Sequence, residues 1–175
     1  MFYLTIILLA DLAAALAAGA PFGDSLFTAF YLTGAVILLD GTLAFAIRRL
    51  PARWFAPLSP LFTVSRAEAR FYRRLRINRW KHLVPELGGF TAFHKDKLQS
   101  TADRDYLARF LLESNYGVAI HAANAVFGFL IPLLPRAAPV IAWVVSAVNA
   151  VLSILPLMIL RANTRGLSAL YRKSR

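Results

Sequence analysis

Residues 26–49 read LFTAFYLTGAVILLDGTLAFAIRR. Leu26 to Ile47 is apolar except for Asp40 and a few small polar residues, and Arg48-Arg49 ends the run sharply. At 1.5 Å per residue such a run crosses a hydrocarbon core of roughly 30 Å. The stretch therefore reads as a membrane-spanning helix with its basic end in water. Before it, Met1 to Ala20 is apolar apart from Thr5 and Asp11. A signal peptide would carry a basic region ahead of its apolar run, and none precedes this one, so a retained helix is expected. Pro21 to Ser25 reads as a short turn.

After the second run the composition changes. From Arg48 to Arg109 there are 14 Lys or Arg residues against 5 acids, while the turn at 21–25 has no basic residue. The excess of positive charge on one side places segment 48–115 in the cytoplasm. Tyr116 to Leu134 is the third apolar run, closed by Pro132 and Pro135, with Arg136 the only basic residue of the outer turn. Val140 to Leu160 is the fourth, followed by Arg161, Arg165, Arg172, Lys173 and Arg175 with no acid among them. The expected fold is all-α and integral to the membrane. Four transmembrane helices (1–20, 26–47, 116–134, 140–160) form one domain, 1–175, and a basic amphipathic or interfacial cytoplasmic segment joins helices two and three. Both termini are expected in the cytoplasm, and the protein in the cell (plasma) membrane as a multi-pass species.

Composition supports this class. Hydrophobic residues make up 58% of the 175, above the roughly 45–50% of soluble domains, and mean hydropathy is +0.56. The net charge of +11 would suggest nucleic acid in a soluble protein. Here it is confined to segments between and after apolar runs, which points to anionic headgroups and topology, and no nucleic-acid partner is expected. With 0 cysteines, a disulfide framework, a thiolate nucleophile and a Cys-based metal site are excluded. Histidines are His82, His94 and His121.

The middle segment has its own organisation. Pro51, Pro57 and Pro60 interrupt helix early and are interleaved with Trp54, Phe55, Leu58, Leu61 and Phe62, as in segments that lie on a membrane surface. Ser65 to Arg79 reads as one basic amphipathic helix with Phe71, Tyr72 and Leu75 on its apolar side. Its arginines, among them Arg73, Arg74 and Arg79, are either a solvated lipid-touching face or a cradle for a phosphate-bearing donor. Trp80, Lys81 and His82 open a loop that continues through Pro85-Glu86, Gly88-Gly89, Phe90, Phe93 and His94. Ser100-Thr101-Ala102-Asp103 has capping-box spacing, so a helix is expected to start there and run toward Glu113.

Intramembrane polar residues are costly, about 2.5–3.5 kcal/mol for a central Asp. Asp11 and Asp40 therefore read as hydrogen-bonded packing residues, with a place in a site as the second reading for Asp40. Asn149 and Ser153, four apart, read as interhelical glue, and Pro156 marks a kink position. Glu113, Gly117, His121 and Asn124 follow helical steps of four, four and three and so share a face. An imidazole there can take a proton from a hydroxyl near neutral pH; the plain alternative is packing with Asn124. Glu113 is about two turns from His121, too far to touch it. It must act on another group, Arg161 or a residue of the Trp80 loop. Arg161 and Asn163 follow the fourth span, either as its topological stop or as a fork for a carbonyl, phosphate or carboxylate. No P-loop, HExxH, His-x-x-x-x-Asp box or DxD-type nucleotide-sugar motif is supported, and no metal site is expected.

Four blocks carry a family resemblance. Arg49-Leu50-Pro51 leads to Trp54-Phe55, and Phe71-Tyr72 leads to Trp80-Lys81-His82. Glu113 and His121 follow, then Pro156 with Arg161 and Asn163. In order and spacing the chain resembles the glycosyl-4,4'-diaponeurosporenoate acyltransferase family, the terminal step of staphyloxanthin-type synthesis. The resemblance implies a membrane acyltransferase moving a fatty acyl group from a thioester donor to a hydroxyl of a glycosylated or other lipid acceptor. The expected catalytic set is His121 as base with Glu113, Asn124, Arg161 and Asn163. Trp80, Lys81, His82, Arg73, Arg74 and Arg79 would bind substrate. No cofactor is expected to be permanently bound; acyl-CoA or acyl-carrier protein would be the donor. Expected partners are membrane lipids, this donor, and either a second copy of the chain or a biosynthetic partner enzyme. The alternative function is a non-catalytic membrane subunit that binds or positions a lipid or a partner enzyme.

Overall fold

The computed structural model describes residues 2–84, 103–135 and 138–174. Pro85-Glu86, Gly88-Gly89, Phe90, Phe93, His94, the Ser100 to Ala102 cap and Arg136 lie outside the described residues. The regular elements within them are all helices. The α-helices are α1 (Phe2–Ala17), α2 (Phe22–Arg48), α3 (Arg66–Arg74), α4 (Ile77–Trp80), α5 (Arg104–Phe127) and α6 (Pro139–Lys173), joined in part by short 3-10 turns. Two compact units result. One comprises residues 1–47 and 120–154, the other 48–119 and 155–175.

Three helical stretches are long and apolar enough to cross a membrane: Phe22–Arg48, Arg104–Leu133 and Pro139–Lys173. The expected first span is shorter than anticipated. α1 has 16 residues, roughly 24 Å of helix against a core of roughly 30 Å. It ends at a turn in which Gly19 takes φ 77°, a conformation open to glycine without steric cost. That turn lies before Pro21, not at 21–25, because Ser25 already donates its backbone N–H to the Pro21 carbonyl within α2.

The third and fourth spans are longer than expected at their polar ends. α5 begins at Arg104, so the helix toward Glu113 and the span from Tyr116 are one element. Its cap is Asp103, whose Oδ1 accepts from the N–H groups of Asp105 and Tyr106 at 2.9 and 3.1 Å. Between Glu113 and Gly117 nothing breaks a helix, since one glycine costs only about 1 kcal/mol. α6 likewise continues past Leu160 to Lys173 and contains Pro156. Pro139 supplies its first residue, where a missing N–H is no loss. The expected helix 65–79 is instead divided. α3 ends at Arg74 and Arg76 takes φ 51°. The Trp80 indole N–H donates to the Leu75 carbonyl at 3.0 Å, satisfying an acceptor the break leaves open.

The first unit packs Ile7, Ala15, Leu32, Val36, Ile131, Ile141, Ala142 and Val145 together. Phe30, Leu38, Phe45 and Val140 point outward and are exposed, the surface hydrocarbon would cover. Polar ties cross this core. Thr33 donates to Asp11 at 3.0 Å, and Asp11 is fully buried. The Asn149 amide reaches Asp40 and the Asn124 carbonyl, each at 3.5 Å, so it joins α2, α5 and α6. Ser146 Oγ lies 2.9 Å from the carbonyls of both Gly128 and Ala142.

Gly128 is where Asn149 comes closest: an added Cβ would sit 2.7 Å from its amide nitrogen. Asn149 is 2% exposed and bound to two other elements, so it cannot swing aside. Gly128→Ala should therefore destabilise the protein by about 1–3 kcal/mol. In an Asn149→Ala background the same change should cost much less, measured as thermal unfolding in a neutral detergent.

Candidate functional site

The second unit is built on a short core of Leu107, Phe110, Leu111 and Leu167, which packs α5 against α6. Residues 50–65 lie over these helices as a strap of two 3-10 turns, Ala52–Phe55 and Pro60–Phe62. Prolines at 51, 57 and 60 exclude regular helix here. Beyond the few backbone bonds of these turns, the strap is held by side chains from elsewhere.

Its first half is tied to α5. The Asn115 amide donates to the carbonyls of Phe55 and Ala56 at 2.9 and 3.4 Å. Tyr116 stacks on Phe55 with ring centroids 4.0 Å apart and donates its hydroxyl to the Leu50 carbonyl. Arg48 bridges to Glu113 at 3.0 Å and places its guanidinium over the Tyr116 ring. Just beyond, Leu58 takes φ 64°. A leucine in this left-handed region is strained by about 1–3 kcal/mol and persists only where its neighbours fix it.

The second half is tied to α6. Arg161 grips Glu68 sideways, Nε to Oε1 at 2.7 Å and Nη2 to Oε2 at 2.6 Å. The same Nη2 reaches the Thr63 carbonyl at 3.4 Å. Tyr72 donates its hydroxyl to Glu68 Oε1 at 2.8 Å. Ser65 caps α3 by accepting the Glu68 N–H. Glu68 is therefore both the third residue of a capping box and the counter-ion of Arg161. Burial pushes its carboxyl up. The Arg161 and Tyr72 hydrogen bonds, the Arg161 charge and the Ser65 N–H together outweigh this, leaving it below the ordinary value of 4.5. Burial, with the bond and charge of Glu68, pushes Tyr72 up to about 12, Arg161 opposing.

Between the strap and the polar ends of α5 and α6 lies a cavity of about 200 Å³. Ser59, Thr63, Asn115, Arg165, Ser168 and Arg172 supply its polar wall. Asn115 is 2% exposed, and its Oδ1 has no partner among the described residues.

Several expected site residues are placed differently from the sequence reading. Glu113 pairs with Arg48, and Arg161 pairs with Glu68, so neither serves the other. Asn163 is exposed. Two residues on from Arg161, it points about 200° around the helix, so the two do not form a fork. Arg73, Arg74, Arg79, Lys81 and His82 are exposed. Trp80 is half-buried with its N–H on Leu75. His121 and Asn124 both belong to the first unit, half-buried and buried respectively, three residues apart on α5. Glu68 and Asn115 were missed. The Ser65-x-x-Glu68 spacing signalled a helix start with a carboxylate at its third position. Nothing local marked Asn115.

The fold is that of a helical membrane protein, with three helical stretches long and apolar enough to span. The family model for glycosyl-4,4'-diaponeurosporenoate acyltransferase matches residues 51–173, well over half of the chain, and the chain belongs to this family. The family name is that of an acyltransferase of carotenoid biosynthesis. No curated protein and no solved structure matches the chain.

The lowered Glu68 pKa carries a pH dependence with a definite sign. A carboxyl depressed in the folded state adds stability above its unfolded value, and that stability is lost as pH falls through the folded value. Glu68→Gln should cost about 1–2 kcal/mol at pH 7, allowing for partial exposure. Below 4.5 the difference from the unsubstituted protein should shrink, read from melting curves at stepped pH.

Proposed function

We propose that the protein moves a fatty acyl group from a thioester donor, acyl-CoA or acyl-carrier protein, to a hydroxyl of a glycosylated lipid acceptor. The observation that carries this is the family match over residues 51–173. In this reading His121 takes the proton of the acceptor hydroxyl as the oxygen attacks the thioester carbonyl, and the thiol leaves. Asn124, one turn along the same face, is the nearest candidate to steady the oxyanion. Arg161 and Glu113 are positioning residues, because their charges are already engaged by Glu68 and Arg48. The exposed Lys81, Asn163, Arg73, Arg74 and Arg79 suit collection of an anionic donor or contact with anionic headgroups. The excess of Lys and Arg between the apolar helices favours a cytoplasmic second unit, on the side of a soluble donor.

A second reading has a specific observation behind it. Two of the family-like residues, Glu113 and Arg161, sit in ion pairs that fix the fold. That also suits a non-catalytic lipid-positioning subunit. The purified protein in lipid discs, supplied with acyl-CoA or acyl-carrier protein and a glycosylated lipid, should form an acyl ester. His121→Ala should lower turnover by about 10²–10⁴ with an unchanged melting temperature. Normal turnover by that variant would remove His121 as base. Absence of transfer from either donor by the unsubstituted protein would favour the subunit reading.

A further inference from the structure

The cavity beneath the strap has a chemistry that the fold does not use. On its α6 side, Arg165, Ser168 and Arg172 follow steps of three and four and share one face. Both arginines are exposed at the cavity, and neither has an acidic partner among the described residues. Asn115 of α5 also lines the cavity. Its amide nitrogen is spent on the strap carbonyls, and its oxygen is buried and unpaired. A buried carbonyl oxygen without a donor costs about 1–3 kcal/mol, so it is a place where a ligand donor would be gained at little cost. Serine and threonine hydroxyls at 59, 63 and 168 line the space between.

Two guanidiniums select an anion, and guanidinium forks match phosphate oxygens. A carbonyl acceptor selects a hydroxyl or N–H. We propose that this cavity seats a phosphate ester carrying a hydroxyl or N–H donor a few atoms from the phosphorus, with the phosphate on Arg165 and Arg172 and the donor on Asn115 Oδ1. Size narrows the ligand further. About 200 Å³ lies below the roughly 300–1,000 Å³ of whole-ligand pockets. It holds the phosphate and its immediate neighbours, not an entire nucleotide.

Two sources share this chemistry. One is the 4'-phosphopantetheine arm of a thioester donor, which carries a hydroxyl and amide N–H groups beside its phosphate. The other is the headgroup of a glycerol or ethanolamine phospholipid. Assignment to the donor arm rests on the acyl-transfer reading; binding of a phosphate ester does not. The walls of the site also explain why the strap is pinned at both ends. Asn115 and Arg161 hold its two halves, and the strained Leu58 lies in the cavity wall between them.

The test is binding to the full-length protein in neutral detergent, followed by calorimetry. The probes are 4'-phosphopantetheine, pantetheine, and short-chain phosphatidylglycerol. Phosphopantetheine binding with pantetheine inactive identifies the donor arm. Phosphatidylglycerol binding with phosphopantetheine inactive identifies the headgroup. Either result supports the site if Arg165→Gln/Arg172→Gln weakens it by about tenfold or more. Ser168→Leu, which fills the cavity and keeps the charge, should weaken it too. Arg53→Gln/Arg70→Gln removes equal charge at two exposed positions outside the cavity wall. If that pair weakens binding as much as the cavity pair, or if no phosphate ester binds, the proposal is overturned. Acyl transfer is scored separately. Binding without transfer would defeat the enzymatic reading and leave the site standing. Transfer with unchanged donor KM in Arg165→Gln/Arg172→Gln, together with unchanged binding, would defeat the site and leave the enzyme standing.

Discussion

Arg161 and Glu68 lie 93 residues apart in sequence and share two hydrogen bonds in the second unit. α3, the second half of the strap and α6 meet at this contact. Removing two charges from water is unfavourable, and mutual attraction offsets it only when the geometry is good and the remaining lone pairs are used. Here the geometry is a sideways guanidinium fork, and Tyr72 supplies a further donor to Glu68. The second hydrogen of Nη2 goes to the Thr63 carbonyl. The pair is therefore a knot joining α3, the strap and α6. An isolated surface pair would contribute roughly 0–1 kcal/mol and would not fix a loop. This one does so because its side chains are only 15% and 23% exposed.

Asn115 does the corresponding work on α5. A proline-rich strap satisfies only some of its carbonyls through 3-10 bonds, and those that turn inward gain from outside donors. The Asn115 amide serves two of them. Tyr116, the next residue, adds a stacked ring and a hydroxyl. One helical turn of α5 thus carries the anchor for the strap's first half. The cavity follows from these two anchors. It is roofed by a segment held at its ends, and its floor is made from α5 and α6.

The first unit follows a different logic. Its helices present phenylalanines and leucines outward, where no hydrophobic effect would draw them inward once lipid surrounds them. Its specific contacts are therefore small residues and hydrogen bonds. Gly128 lets Asn149 approach closely, and Asn149 joins three helices. Asp11 is accommodated by Thr33. These ties are what the isolated sequence suggested for Asn149 and for the two aspartates.

Apolar runs and the charge that stops them were readable because each is a local property. The family was readable from the order of its blocks. Helix ends were less so. α5 and α6 continue past the expected limits because Ser114, Asn115, Ala162 and Thr164 resist helix too weakly to end one. The break after Arg74 depends on a tryptophan five residues on from the carbonyl it satisfies, which no residue at the break announces. Ion-pair partners were the least legible. Glu113 and Arg161 were visible as charges needing counter-ions, but Arg48 and Glu68 were chosen by the fold. A double-mutant cycle on Arg161→Ala and Glu68→Ala, read as thermal stability in neutral detergent, measures this choice directly. A coupling of about 1.5–3 kcal/mol, of the order of hydrogen bonds to charged groups, is the predicted result. Additive losses, with no coupling, would mean that the strap is held by something else and that Arg161 is free for another task.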